Sequence, residues 1–458
     1  MLDKKIKKQL VDAVDRNRVD DDPISLKSYS YDGYVVEALP DAVIFPLTTD
    51  EVAKIVAVAQ QHRIPIVARG GGSNLTGGTT PIKGGIVLNF TKMNKILEIN
   101  TGDRFVVVQP GVINSDLQKK LAKYNYFFPP DPSSMGFSTI GGNVAENAGG
   151  PRCLKYGVTV DYILGMEVVL AGGKVARFGS CNIKDVTGYR LAGLFCGSEG
   201  TLGLVTEVTL RIVPLPEAYR TMLFYYRDLA QTADVVKAVI AKGIVPTAME
   251  LMDHTSINLV EDATHLGLER EAEGVLLVEV DGPGEAVDRQ AEEISKIAKD
   301  CGAFKSIMAK SEQEREALWK ARRSLHGILS RLAPNCVTED ATVPVSNLPA
   351  MIKGVRDILT RHQITAGIVA HAGDGNMHPV ITTDVSDKEE WARVELAAEE
   401  IFQLAISLRG TLSGEHGIGI AKKPYLPMMM NEHSRELMKD IKRALDPDNI
   451  FNPGKYFA

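Results

Sequence analysis

The sequence predicts an α+β protein built from more than one domain, and three observations carry that prediction. At 458 residues the chain is too long for a single core. Three glycine-rich segments, 69–78, 129–150 and 197–203, are set between strand-patterned runs in the first half. Beyond Pro214 and Pro216 the composition shifts, and strand-like and helix-like runs then alternate through the next hundred or so residues.

In chain order, residues 42–45 read as a strand, about 50–62 as a helix and 64–68 as a second strand, with Thr48 and Glu51 spaced as a capping box. This is one βαβ unit. The first glycine-rich segment follows at once, then Gly84-Gly85 and a strand at 86–90. A Rossmann fingerprint needs G-x-G-x-x-G opening a helix; here the third glycine is missing and a strand follows, so an ordinary nicotinamide site fails on both counts. What remains is a run of small residues whose backbone N–H groups can turn toward phosphate oxygens. The second segment, 129–150, is poor in large side chains and leaves room for something flat, and the third runs into a strand at 204–213. A tight turn explains any one of these loops, but three together suit a long, extended ligand such as a dinucleotide.

In the second half, strands at 221–226, 247–252, 275–280 and 304–309 alternate with helices ending near 241 and 300, as in an antiparallel sheet covered by helices on one face. A helix at about 311–332 carries Trp319, Arg322 and Arg323. The proline-punctuated, aromatic segment 445–457 is expected to dock back on the body.

Charge argues against nucleic acid, since 52 Lys plus Arg face 58 Asp plus Glu with no basic run. The charged, amphipathic N-terminus is unlike a signal peptide, and no stretch of about twenty apolar residues could cross a bilayer, so a soluble cytoplasmic protein without a transmembrane segment is expected. The five cysteines, Cys153, Cys181, Cys196, Cys301 and Cys336, form no Cys-x-x-Cys pair, which argues against a zinc ribbon, an iron–sulfur cluster or a disulfide framework.

The segment 367–380 carries most of the chemistry. Asp374-Gly375 between apolar runs signals a two-residue hairpin pairing 373 with 376, 372 with 377 and 371 with 378. His371 and His378 would then stand opposite each other with Cβ atoms roughly 5 Å apart, close enough to grip one cation. A further carboxylate and imidazole, Glu415 and His416, lie side by side in the glycine-rich run 413–419. Any one of these groups reads equally well as an ordinary hydrogen-bonded residue. Their grouping in two glycine-flanked loops of a chain with only nine histidines points to a metal site.

Taken together, the segments 69–78, 130–150, 197–203, 371–378 and 413–419 closely resemble the FAD-linked oxidases of the vanillyl-alcohol oxidase type. The nearest branch contains the glycolate oxidase catalytic subunit, D-lactate dehydrogenases and D-2-hydroxyglutarate dehydrogenase. The resemblance runs from about residue 31 to 457 and implies a two-part FAD-binding domain at 1–215, an antiparallel-sheet substrate or cap domain at 216–412 and a C-terminal helical segment at 413–458 returning to the FAD domain. It implies FAD contacts at Arg69, Gly70, Gly71, Gly72, Ser73, Asn74, Gly77, Pro130, Ser134, Gly141, Gly142, Asn147, Gly149 and Gly200. Covalently flavinylated relatives carry His or Cys in such loops; the first loop here has Ser73 and neither, so the FAD is expected to be non-covalent.

The same resemblance implies a divalent metal on His371, His378 and Glu415, His416 as acid/base residue and Arg322 as the clamp on a substrate carboxylate. Arg323 is the backup, and a solvated helix face is the plain alternative for Arg322. A cation on the hydroxyl of a 2-hydroxy acid lowers its pKa, an imidazole takes the proton, and a guanidinium grips the carboxylate while hydride passes to flavin N5. A mixed N/O site accepts zinc, manganese or iron(II). In the hydroxyglutarate branch a polar residue and a lysine hold the distal carboxylate; the matching places here are Val380 and Thr338. A second carboxylate would be buried unpaired at a cost of several kcal/mol. Oxidation of D-lactate to pyruvate is therefore expected, with glycolate, one methyl smaller, as the alternative. Relatives pass electrons to an iron–sulfur subunit, an electron-transferring flavoprotein or quinone, and a protein partner is preferred here. A non-catalytic flavin-binding accessory subunit would have no use for the metal set, and a non-redox enzyme of the ether-lipid synthase kind would need a phosphate pocket and membrane affinity that the sequence does not display.

Overall fold

Short β-branched runs in the first part of the chain pair as parallel strands. In the computed structural model, which describes residues 2–456, Ala42–Ile44, Ile86–Asn89 and Ile66–Arg69 lie side by side in parallel, and Val19–Asp20 closes the edge in antiparallel sense. Met1 of the expected first domain, and Phe457 and Ala458 of the expected last one, lie outside the described residues. The strand Ile86–Asn89 inserts between the two strands of the expected βαβ unit, whose crossover is the helix Thr49–His62. The Thr48 hydroxyl accepts from the Glu51 amide, but the Glu51 carboxylate accepts from Leu47 N–H and pairs with Arg18, so only half of the capping box forms. That helix buries Val52, Ile55, Val56 and Ala59, three or four residues apart, against Ile44, Ile66 and Leu88 of the sheet.

The chain divides into two compact units. One comprises residues 1–149, 158–215 and 415–458, and the other 150–157 and 216–414. The first also holds a five-stranded antiparallel sheet in the order Ile96–Asn100, Phe105–Val108, Leu204–Arg211, Ile163–Leu170, Lys174–Gly179. The strand expected to run to 213 stops at Arg211, and Val213–Pro214 pairs separately with Tyr126–Phe127.

In the second unit, seven strands follow the order Lys305–Met308, Ala218–Tyr226, Gly274–Gly282, Ala248–Asp253, Ala366–His371, Asn376–Thr383, Asn335–Thr338. The expectation of helices on one face is wrong. Met222, Phe224 and Tyr226 pack with the helices Leu229–Ala241, Gly284–Asp300, Leu348–Arg361 and Lys388–Ser407, whereas Leu223 and Tyr225 pack with His254–Thr264 and Glu312–Leu329. The unbroken apolar run 222–226 is the physical reason. Successive side chains point to opposite faces, so both faces need cover. Among the described residues no helix is long and apolar enough to cross a membrane.

The C-terminal segment is tied into the first unit by a buried ion pair. Lys442 Nζ sits 2.5 Å from Asp446 Oδ2 and also donates to the carbonyls of Thr201 and Phe451, while Asp446 accepts from the amides of Ile450 and Phe451. Ile450 and Asn452 in turn exchange backbone hydrogen bonds with Ile66 of the parallel sheet. Removing one member of such a pair strands the other charge away from water. Asp446→Ala should therefore cost about 3–5 kcal/mol in denaturant unfolding; a loss below about 1 kcal/mol would show the pair to be energetically idle.

Candidate active site

The hairpin at 366–383 carries both metal-type histidines, in a register different from the expected one. His371 pairs with Asn376, Ala370 with Met377 and Val369 with His378, so the turn spans four residues, 372–375, instead of two. The His371 carbonyl accepts from the amides of both Asp374 and Gly375, and the Asp374 carboxylate accepts from Asn376 N–H, which closes the wider turn. Gly375 takes φ +83° there, with its would-be Cβ 2.0 Å from the Val343 carbonyl oxygen, so only glycine fits. His371 and His378 are accordingly diagonal, not directly opposite. Because the offset is two residues they still share a face, with ring centroids 5.1 Å apart.

Each ring is oriented from behind. His371 Nδ1 lies 2.7 Å from Glu250 Oε1, and His378 Nδ1 lies 3.3 Å from the Glu339 carbonyl and 3.7 Å from Asp340 Oδ1. Asp340 also accepts from the Ser413 hydroxyl through its carboxylate and from the Gly414 amide through its carbonyl. A Cβ on Gly414 would stand 2.2 Å from Asn376 Nδ2 and 2.3 Å from Thr342 Oγ1, so glycine is what lets the chain run this close to the sheet. The next residue along the chain is Glu415. Ligand atoms of His371 and His378 lie within 4.8 Å of each other, as do those of Asp340 and His378. His416 Nε2 is 4.0 Å from Glu415 Oε1.

Arg322 is not on a solvated face. It is only 8 % exposed, and its Nε lies 2.9 Å from Glu250 Oε2, off the line of a hydrogen bond, so the contact is one of charge. Arg323, the expected backup, is half exposed, pairs with Glu316 and stacks on Trp319, so the geometry offers no support for it as a clamp. One turn beyond Arg322, His326 is a residue that sequence reasoning missed; although its surface is exposed, crowding by the protein on one side and then the charges of His378 and Arg322 hold its imidazole below the usual range. The only sequence signal for it was its i+4 spacing from Arg322. Thr338 and Val380 are direct partners across neighbouring strands, and Val380 lies two residues from His378 on the same face.

In the first unit the three glycine-rich loops meet. A Cβ on Gly70 would fall 2.1 Å from Thr139 Oγ1, and one on Gly71 would fall 2.3 Å from the Phe137 carbonyl, so the first loop lies directly on the second. Asn74 donates to Glu146 and accepts from the amides of Thr76 and Gly78. Gly197 and Glu199 donate backbone N–H groups to the carbonyls of Val144 and Ala145, which joins the third loop to the second. Arg69 points inward to the Tyr31 carbonyl and Thr79. Gly141 and Gly142 open the helix Ile140–Glu146, which Thr139 caps, and Pro130 and Ser134 shape the loop before it through their carbonyls. Asn147, in the left-handed region at φ 53°, ends that helix and accepts from Val160 N–H; Gly149 is buried and Gly200 takes φ +67°. Gly77 abuts Ile420, and Ser73 in the same loop is half-buried.

Beneath these loops lies a buried charged group that sequence reasoning also missed. Glu199 accepts from the amides of Ile418 and Gly419, Glu146 faces it across Gly417, and Lys455 donates to Thr80 and Asn452. Burial pushes the Glu199 carboxyl up to about 7 and, with the charges of Glu199 and Asp32, holds Glu146 well above the carboxylate range. Burial brings Lys455 down to about 8. A carboxyl whose folded pKa is raised contributes stability that is complete at low pH and is lost as pH rises through the folded value. The thermal midpoint should therefore fall as pH is raised from about 5 through about 7, with Lys455 charged throughout that window, and Glu199→Gln should flatten the slope. An equal slope in wild type and variant would remove this pair as its source.

Two families of known proteins match successive parts of the chain. The family described as FAD linked oxidases, C-terminal domain, matches residues 215–456, and the FAD binding domain family matches residues 40–179. The glycolate oxidase subunit GlcD of Bacillus subtilis is 47 % identical over 459 residues, covering 100 % of this chain and 98 % of the relative. The probable mitochondrial D-lactate dehydrogenase of Danio rerio is 32 % identical over 421 residues, 91 % of this chain and 84 % of the relative. Among solved structures, p-cresol methylhydroxylase with bound substrate superposes with a TM-score of 0.83 at 18 % identity, over 99 % of this chain and 96 % of that one, a likeness of fold alone. With the C-terminal family spanning more than half its length, and relatives above 30 % identity over nearly all of it, this chain belongs to the FAD-linked oxidases.

Proposed function

We propose that the chain is a metal-assisted, FAD-dependent dehydrogenase of a short 2-hydroxy monocarboxylate, D-lactate or glycolate, that hands its electrons to a partner protein. The observation that carries this reading is Arg322. A guanidinium nine-tenths buried, held by one ion-pair contact and making no hydrogen bond among the described residues, is suited to a ligand carboxylate. It is set beside the oriented imidazole of His371, since Glu250 touches both Arg322 and His371.

The donor set fits a divalent cation. His371 and His378 have Nδ1 directed at buried acceptors, so Nε2 of each is the atom that would bind the cation, and Glu415 would supply a carboxylate. Zinc, manganese and iron(II) all accept such ligands. The glycine-rich loops likewise fit a flat, phosphate-bearing cofactor, because runs without side chains leave their backbone N–H groups open to phosphate oxygens, and the first loop has no His or Cys for a covalent flavin link. When bound, the cation acidifies the substrate hydroxyl and the flavin takes the α-hydrogen with its electron pair. In this reading Arg322 clamps the carboxylate and His416 takes the hydroxyl proton, so that loss of two electrons and two hydrogens gives the 2-oxo acid. Val380, on the His378 face and paired with Thr338, offers no charge for a second carboxylate, which supports a monocarboxylate.

Between the two acids, the full-length likeness to a protein named as a glycolate oxidase subunit favours glycolate, and the Danio rerio relative favours D-lactate. The word subunit in the first name supports a protein acceptor, an iron–sulfur subunit or an electron-transferring flavoprotein.

The test is anaerobic reduction of the purified yellow protein. Its flavin absorbance should bleach with D-lactate or glycolate and not with D-2-hydroxyglutarate at equal concentration, and exhaustive EDTA treatment should abolish bleaching while the flavin stays bound. Retained colour with both short acids would end the reading, and bleaching unaffected by EDTA would end the metal's part in it. Arg322→Ala should raise KM for the hydroxy acid by about 30-fold or more, the loss of roughly 2 kcal/mol or more expected for a buried charge-assisted pair; an unaltered KM would exclude it as the clamp.

A further inference from the structure

The sheet of the second unit buries two glutamates that meet the helix Glu312–Leu329, and they are used differently. Glu279 is saturated. It accepts from Arg315 Nε at 2.8 Å and Nη2 at 2.9 Å, from Trp319 Nε1 at 2.7 Å and from the Thr221 hydroxyl at 2.6 Å, as expected of a carboxylate that fastens a helix to a sheet. Glu250 is equally buried, yet it has only one contact per oxygen: His371 Nδ1 on Oε1 and Arg322 Nε on Oε2. Its strand places it directly opposite His371, so its reach to that ring is set by register.

We infer that Glu250 is a positioning residue that holds the metal-binding imidazole and the carboxylate-binding guanidinium in working orientation at once, an inference that rests on the function proposed above. On the His371 side, a carboxylate at Nδ1 keeps the proton on that nitrogen, turns Nε2 outward as a lone-pair donor and makes it more basic. On the Arg322 side, the contact is through Nε, which leaves the two terminal NH2 groups of the guanidinium for a bidentate grip on another carboxylate. Burial of Glu250 sharpens both effects, because little water is at hand to replace it as partner of either group. Glu279 is the internal contrast: it meets the same helix from the same sheet, and its four donors belong to neither task.

The experiment compares wild type, Glu250→Gln and Glu279→Gln as intact, FAD-loaded full chains. Apparent affinity for manganese(II) or zinc(II) is measured by equilibrium dialysis of EDTA-stripped protein, together with flavin content, thermal midpoint and steady-state kinetics. Glu250→Gln should bind the metal about 10–100-fold more weakly and raise KM for the hydroxy acid even at saturating metal, with flavin content retained. Glu279→Gln should lower the thermal midpoint and leave metal affinity as in wild type. Wild-type metal affinity and KM in Glu250→Gln overturn the inference while leaving the proposed function standing. A wild-type protein that binds no stoichiometric metal or fails to bleach overturns the proposed function itself. Should Glu250→Gln not accumulate folded, Glu250→Asp decides by the same titration, because it keeps the charge and withdraws it from both partners: weakened metal binding supports the inference and unchanged binding overturns it.

Discussion

Side chains on a β-strand alternate between faces, so pairing that slips by two residues keeps a side chain on its face, whereas a slip of one turns it away. The candidate site depends on that parity. The turn between the 366–371 and 376–383 strands is two residues longer than its Asp-Gly step suggests, and His371 and His378 still share a face with their rings in contact distance. By the same rule Glu250, on the neighbouring strand, lies opposite His371, and Val380, two residues along the strand of His378, shares its face. A hairpin of odd offset would have sent one imidazole to the opposite face, among helix side chains.

Around this frame, buried charges differ in how many partners each is given. Glu279 and Asp446 are saturated by several donors and hold elements together. Glu250 and Arg322 share a single contact and keep capacity for something else. Glu146 and Glu199, pressed together under the loops of the first unit, meet the cost of burial by holding protons more tightly than exposed carboxyls do.

Glycine has a specific task at the few places where the backbone runs hard against a neighbouring segment. Gly70 and Gly71 bring the first loop onto the second, Gly414 lets the chain pass against Asn376 and Thr342, and Gly417 at φ +83° leaves room for Glu146 and Glu199. Each would-be Cβ at these positions lies within 2.4 Å of a neighbouring atom, so a side chain there would force its neighbour to move. Loops made this way carry amides in place of side chains on their contact surfaces, as a ligand rich in phosphate oxygens requires.

By itself the sequence determined what is written in local pattern: the strand and helix runs, the three glycine-rich loops, the hairpin, and the composition of the 413–419 motif, because turn chemistry and hydrophobic periodicity act over a few residues. It could not decide how partners far apart in the chain would meet. The wider turn depends on hydrogen bonds to the His371 carbonyl, the cover on both faces of the sheet depends on helices drawn from 229 to 407, and the insertion of the 86–89 strand between its neighbours is a matter of topology. Glu250 stands 121 residues from His371, and Glu199 more than 200 from Ile418, so no spacing rule could have singled them out. Only the tertiary structure assigns such buried charges their partners, because that pairing is decided by which strands lie side by side and not by any residue's own preference.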